Sequence, residues 1–92
     1  MRCDQAVDAL ASAGVVLTPY VADYCGGAPE VAFTDALALA DDQQIVLAGE
    51  LVAELRMIAD RLYGRFDAAV VAPIYEALDR IDRRAQAHSA VA

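Results

Sequence analysis

Two amphipathic stripes, separated by one glycine, fill the second half of this chain. Apolar residues recur in each stripe at steps of three and four residues, which places each set on one side of a 3.6-residue helix. The first stripe contains Leu47, Leu51, Leu55, Ile58 and Leu62, and the second contains Phe66, Val70, Ile74, Ala77, Leu78, Ile81 and Ala85. The pattern predicts two helices that reverse direction around Gly64.

The sequence therefore predicts an all-α fold built on an antiparallel helical hairpin, with helices at about 42–63 and 66–86. Pro73 lies inside the second helix, where proline removes a backbone hydrogen bond and clashes with the preceding turn. We expect either a kink there or a break with a new helix starting at Pro73. The apolar arc of the first helix is wider than one neighbour needs, so we expect this helix at the centre of the fold.

Two or three short helices are expected to pack across the hairpin. The first runs from about Asp4 to Ala13 and stops at Gly14, since glycine favours helix C-termini. A second begins at Thr18 and Pro19 and ends near Cys25, and a third begins at Pro29 and continues to about Ala40. Thr34 and Asp35 offer a second start within the third. Asp41 and Asp42 predict the start of the long helix, because the helix dipole favours acids at its N-terminus.

The chain is small, apolar and acidic. Its 92 residues suit a single helical domain spanning 1–92, and the hydrophobic fraction of 59% argues against disorder. Residues 1–50 contain eight acidic residues and one arginine, whereas residues 51–92 contain six of each. The net charge of −7 therefore belongs to the first half. Dispersed acids of this kind mostly keep an apolar protein soluble, although they also attract basic partners.

No catalytic, metal-binding or cofactor-binding motif is present, so we expect neither an enzyme nor a cofactor. His88 is the only histidine, and no nucleophile elbow or phosphate-binding loop occurs. The net negative charge argues against nucleic-acid binding. No apolar run approaches the ~20 residues that span a bilayer, and no targeting segment is recognisable, so the expected location is cytoplasmic.

The two cysteines, Cys3 and Cys25, form no recognisable redox or metal motif. A disulfide between them is uncommon in a cytosolic protein. Cys3 lies near a helix start, where the dipole favours the thiolate, and Cys25 lies near a helix end, where it does not.

A small, acidic interaction or assembly protein is the function that this pattern favours. It would act by burying apolar helix faces against a protein partner, either another copy of itself or a subunit of a larger complex. The candidate interface residues are Leu51, Val52, Leu55, Ile58 and Tyr75. One alternative is a structural component of a large assembly, such as a virion connector or adaptor. Another is a ligand-binding or enzyme-accessory protein, which a cavity lined by Tyr63, Phe66 and Pro73 would favour.

Overall fold

Five α-helices form the fold of the described residues, and proline or glycine marks several of their ends. The computed structural model describes residues 1–91, with the side chains of all of these except 22–25, 90 and 91. The helices are α1 (Cys3–Ser12), α2 (Pro19–Gly27), α3 (Pro29–Asp42), α4 (Gly49–Tyr63) and α5 (Ala68–Val91). No strand occurs within residues 1–91. The predicted all-α class is confirmed.

The end of α1 is a left-handed turn that uses a glycine. Gly14 has a φ of 109°, and the N–H of Val15 donates to the carbonyl of Leu10 at 3.1 Å. This Schellman-type ending satisfies a carbonyl that the helix itself leaves free. Glycine adopts such a φ without steric cost, so Gly14 stops the helix as the sequence predicts.

The same ending recurs thirty residues later, at the end of α3. Gln44 has a φ of 53°, and the N–H of Ile45 donates to the carbonyl of Ala40 at 3.1 Å. In both places a short non-helical segment follows, and the next helix begins at Pro19 or Gly49. The chain thus contains two similar units, each made of a helix, a left-handed turn and a second helix.

Burial follows the same thirty-residue period in the first helix of each unit. Four positions of α1 are buried, and the four positions of α3 that lie thirty residues further on are buried too. These positions are Cys3, Ala6, Val7 and Leu10 in α1, and Phe33, Ala36, Leu37 and Ala40 in α3. The two units therefore present equivalent faces to a shared core.

The centre of the fold is α3, not the leucine-rich helix. α3 packs against α1, α2 and α5, whereas α4 packs mainly against α5 and α1. Ala32, Ala36 and Ala40 are fully buried on α3, and these small side chains let neighbouring helices approach it closely. Phe33, also fully buried, supplies the largest side chain of the core.

α4 starts at Gly49, later than the predicted start near residue 42. α3 continues through Asp42, so Asp41 and Asp42 end a helix instead of beginning one. Acids at a helix C-terminus oppose the dipole, but Arg80 and Arg84 of α5 bind the carboxylate of Asp41 and offset that cost. Leu47, a member of the predicted stripe, is buried, but it lies in the segment that connects α3 to α4 and not in a helix.

α5 runs without a break through Pro73, so of the two alternatives expected there, a kink or a break, the break with a new helix is wrong. Pro73 lies in the second turn of the helix, and the carbonyl left without an N–H partner belongs to Ala69. Both residues are exposed, so water can reach this part of the helix. Within the described residues, no helix is both long and apolar enough to cross a membrane.

Candidate interaction site

The turn between α4 and α5 is shaped by a glycine and capped by an aspartate. A Cβ atom on Gly64 would collide with the backbone carbonyl of Asp60, so no larger residue fits without moving the turn. Asp67 then precedes α5, and its carboxylate accepts the N–H of Ala69 at 2.9 Å, as a helix cap does. These two residues bring the end of α4 and the start of α5 together.

Large apolar side chains are exposed at this turn. The rings of Tyr63 and Phe66 meet edge to face, with their centroids 5.7 Å apart. Phe66 remains 56% exposed and Val70, one turn into α5, remains 70% exposed. We call Tyr63, Phe66, Val70 and Tyr75 the turn face.

A cleft of about 390 Å³ opens beside the turn face. Its walls come from the end of α4 and the first two turns of α5, and they include Asp60, Tyr63, Phe66, Val71, Ala72 and Tyr75. The lining is mostly apolar, with one carboxylate and two phenol groups.

Both tyrosine hydroxyls at the cleft are held by their own chain. The hydroxyl of Tyr75 donates to the carboxylate of Asp60 at 2.7 Å, and this hydrogen bond raises the pKa of Tyr75 above its ordinary value of 10.0. The hydroxyl of Tyr63 lies 2.6 Å from that of Thr34 on α3. The hydrogen bonds fix the two rings, which leaves the remaining exposed surface of the cleft predominantly apolar.

The five predicted interface residues lie in two different environments. Val52, Leu55 and Ile58 are buried in the core of the chain itself, and Leu51 is half-buried against that core. Tyr75 lies in the wall of the cleft. The structure therefore brings only one of the five to the candidate site.

Phe66 and Val70 were expected on the inward stripe, and the structure exposes both. α5 begins at Ala68, so Phe66 precedes the helix, and the next large side chain, Val71, turns inward in place of Val70. The adjacent valines made the helical phase ambiguous, which is why the sequence did not reveal an exposed patch.

The predicted cavity at Tyr63, Phe66 and Pro73 is divided in two. The cleft at the turn contains the two aromatic residues. Pro73 lines a separate cavity of about 150 Å³ between α3 and α5, together with Thr34 and Ile74.

Cys3 is a buried free thiol rather than an activated one. Burial is the main reason that its pKa is raised, and the negative charge of Glu30 adds to the effect. This outweighs the helix-start effect that the sequence suggested. The side chain of Cys25 lies outside the described residues. Among the side chains that are described, no three of His, Cys, Asp and Glu are grouped as a metal site requires.

Comparison with protein families, with curated protein sequences and with solved structures gives no significant match. The turn face and the charges around it are therefore the features from which a function can be inferred.

Proposed function

We propose that this chain is a non-enzymatic interaction protein that uses the turn face to associate with protein surfaces, most simply with a second copy of itself. In this proposal α4 and α5 act together as an antiparallel helical hairpin that presents the turn face at one end. Two side-chain contacts between the helices support this antiparallel pairing, because the later residue of α4 contacts the earlier residue of α5. Arg56 binds Asp79 at 3.0 Å, and Asp60 accepts from Tyr75 at 2.7 Å.

The observation that carries the proposal is the exposure of Phe66 and Val70 beside an apolar cleft. Burying one such side chain contributes roughly 1.5–3 kcal/mol. Aromatic residues next to a pocket are typical anchors of protein interfaces. Exposed apolar groups do not help to keep the protein soluble. A partner that covers these two side chains would gain binding energy.

The local charge supports a second copy as the partner. The protein carries a net charge of −7, yet the turn is balanced, because Arg61 and Arg65 accompany Asp60 and Asp67. Two turn faces can therefore meet without the repulsion that the acidic half of the chain would produce. A symmetric contact of this kind uses the same surface on both copies.

Light scattering after size exclusion, over a hundredfold range of concentration, tests the proposal. We expect the wild-type mass to rise above the 9.8 kDa of the monomer, while the double variant Phe66→Ser/Val70→Ser remains monomeric. Met57→Ser is the matched control, since Met57 is an exposed apolar residue of α4 that does not line the cleft. A wild-type monomer at every concentration would contradict self-association. Equal loss in the control would contradict the turn face as its surface.

The cleft supports a second candidate, the binding of a small ligand. Its volume of about 390 Å³ lies within the usual range for ligand sites, and the carboxylate of Asp60 lies in its wall. An NMR titration with phenethylamine tests this function, because its ring fits the aromatic wall and its ammonium group suits the carboxylate. Saturable shifts at Gly64 and Val71 that disappear in Asp60→Asn would favour it. A role in a larger structure, such as a virion connector or adaptor, stays a prediction.

A further inference from the structure

A second surface, formed between α2 and α3, has a different chemistry from the turn face. It is an open groove of about 500 Å³, and α3 provides most of one wall. Tyr20 and Val21 of α2 line the other side. Tyr20 is 71% exposed. We call this surface the acidic groove.

On the wall that α3 provides, two charged residues flank two apolar residues. Asp35 and Asp42 lie seven residues apart, and Ala38 and Leu39 lie between them on the same face. Seven residues are about 10 Å along a helix, or close to two turns. The groove therefore presents an apolar centre with a carboxylate near each end.

Neither carboxylate forms an ion pair with a described cation; the charge of Asp42 acts on Arg80 from a distance, but the guanidinium of Arg80 is bound to Asp41. Arg2 binds Asp4, and Arg80 and Arg84 bind Asp41, which lies beside the groove. Asp35 and Asp42 are both exposed. The negative charge at the two ends of the groove is thus available to a partner.

We propose that the acidic groove binds a basic amphipathic helix of a partner protein. A helix with a cation at position i, apolar residues at i+3 and i+4, and a cation at i+7 repeats the spacing of Asp35, the apolar centre and Asp42. Apolar residues at these positions form one face, as in helices that dock into grooves. The exposed ring of Tyr20 adds a surface on which an arginine can stack.

A second copy of this chain does not fit the groove. Its net charge is −7, and Arg80 and Arg84 at the end of α5 are already occupied by Asp41. Arg65 and Arg83 are exposed but lie in different elements and do not offer the required spacing. Charge complementarity therefore selects a basic partner, independently of the function proposed for the turn face.

The probe is a fluorescein-labelled, alanine-based helical peptide with Arg at i and i+7 and Leu at i+3 and i+4. Its binding is measured by fluorescence anisotropy at low and at moderate salt. We expect Asp35→Asn/Asp42→Asn to weaken binding at least tenfold. The matched control, Asp8→Asn/Glu76→Gln, removes two exposed charges elsewhere, and we expect a change below threefold. Replacing both leucines of the peptide by alanine should also weaken binding at least tenfold.

Three outcomes would overturn the inference. One is the absence of saturable binding to the wild type at millimolar protein. Another is an equal loss in the groove variant and the control, which would show non-specific charge attraction. The third is unchanged binding of the peptide without leucine. Circular dichroism melts of both variants verify folding, and Phe66→Ser/Val70→Ser should bind the peptide as the wild type does, which separates this surface from the turn face.

Discussion

Asp41 joins the end of α3 to the last turns of α5 through two arginines. Its carboxylate accepts from Arg84 at 2.7 Å and from Arg80 at 2.8 Å, and its side chain is 13% exposed. The Nε atom of Arg84 is buried without a hydrogen-bond partner, so this arginine depends on Asp41 for compensation. Removing the charge of Asp41 would leave two cations close together at the surface of the core.

We predict that Asp41→Asn lowers the free energy of unfolding by about 2 kcal/mol, less than the 3–5 kcal/mol typical of fully buried pairs, because Arg80 is partly exposed. Asp42→Asn, at the neighbouring exposed position, should change it by less than about 0.5 kcal/mol. Urea denaturation of the two variants measures the difference. Similar values for both would mean that general charge repulsion, not the ion pair, sets the effect.

At the scale of single helices, the sequence located all five elements but misplaced the start of α4. Gly14, Pro19 and Pro29 mark helix ends through their own backbone preferences, so these boundaries could be predicted from the local sequence. The predicted start of α4 depended on Asp41 and Asp42, but both residues end α3, where Arg80 and Arg84, distant in sequence, bind the carboxylate of Asp41. Such a contact cannot be read from periodicity. The start of α5 was placed at about 66 and Val70 was placed on the inward stripe, whereas α5 begins at Ala68 and the adjacent Val71 is the buried valine.

We predict that Leu55→Ala lowers the free energy of unfolding by about 3 kcal/mol and Leu51→Ala by about 1 kcal/mol. Leu55 is fully buried within the chain, whereas Leu51 is half-buried. The loss in Leu55→Ala should be independent of protein concentration, because the lost contacts lie within one chain. Denaturation at two concentrations tenfold apart tests this. A loss that grows on dilution would assign Leu55 to an interface, as the sequence first suggested.

At the scale of the whole molecule, the thirty-residue repeat supplies two equivalent buried faces, those of α1 and α3, to one core. The first helices of the two units, α1 and α3, pack against each other, and α5 packs against both helices of the second unit. The repeat is clear in backbone geometry and burial but faint in the residues. Val16 and Leu17 match Val46 and Leu47, whereas Cys3 corresponds to Phe33. Sequence periodicity within single helices therefore could not reveal it.

We predict that the whole molecule loses stability as the pH rises above about 9. The pKa values of Cys3 and Tyr75 are both raised in the folded protein, from ordinary values of 9.0 and 10.0. A raised pKa means that the folded state holds the proton more firmly. The stabilisation is therefore complete below the ordinary pKa and is lost as the pH rises through the raised one. Urea denaturation between pH 8 and pH 11 measures this decline.

Tyr75→Phe separates the two contributions to the alkaline decline. This variant has no phenol to ionise, so its stability should fall less steeply above pH 10 while the part due to Cys3 remains. An unchanged slope in Tyr75→Phe would contradict the role of the Tyr75–Asp60 hydrogen bond.

The connector between α1 and α2 contains Val15, Val16 and Leu17, a run whose composition favours strand pairing. In the folded chain the side-chain amide of Gln43 accepts the N–H of Val16 and donates to its carbonyl, both at 2.8 Å. Those are the two backbone groups through which an incoming strand would attach. A glutamine side chain thus takes the place of a neighbouring strand, and the native state withholds the backbone of Val16 from strand pairing with other molecules.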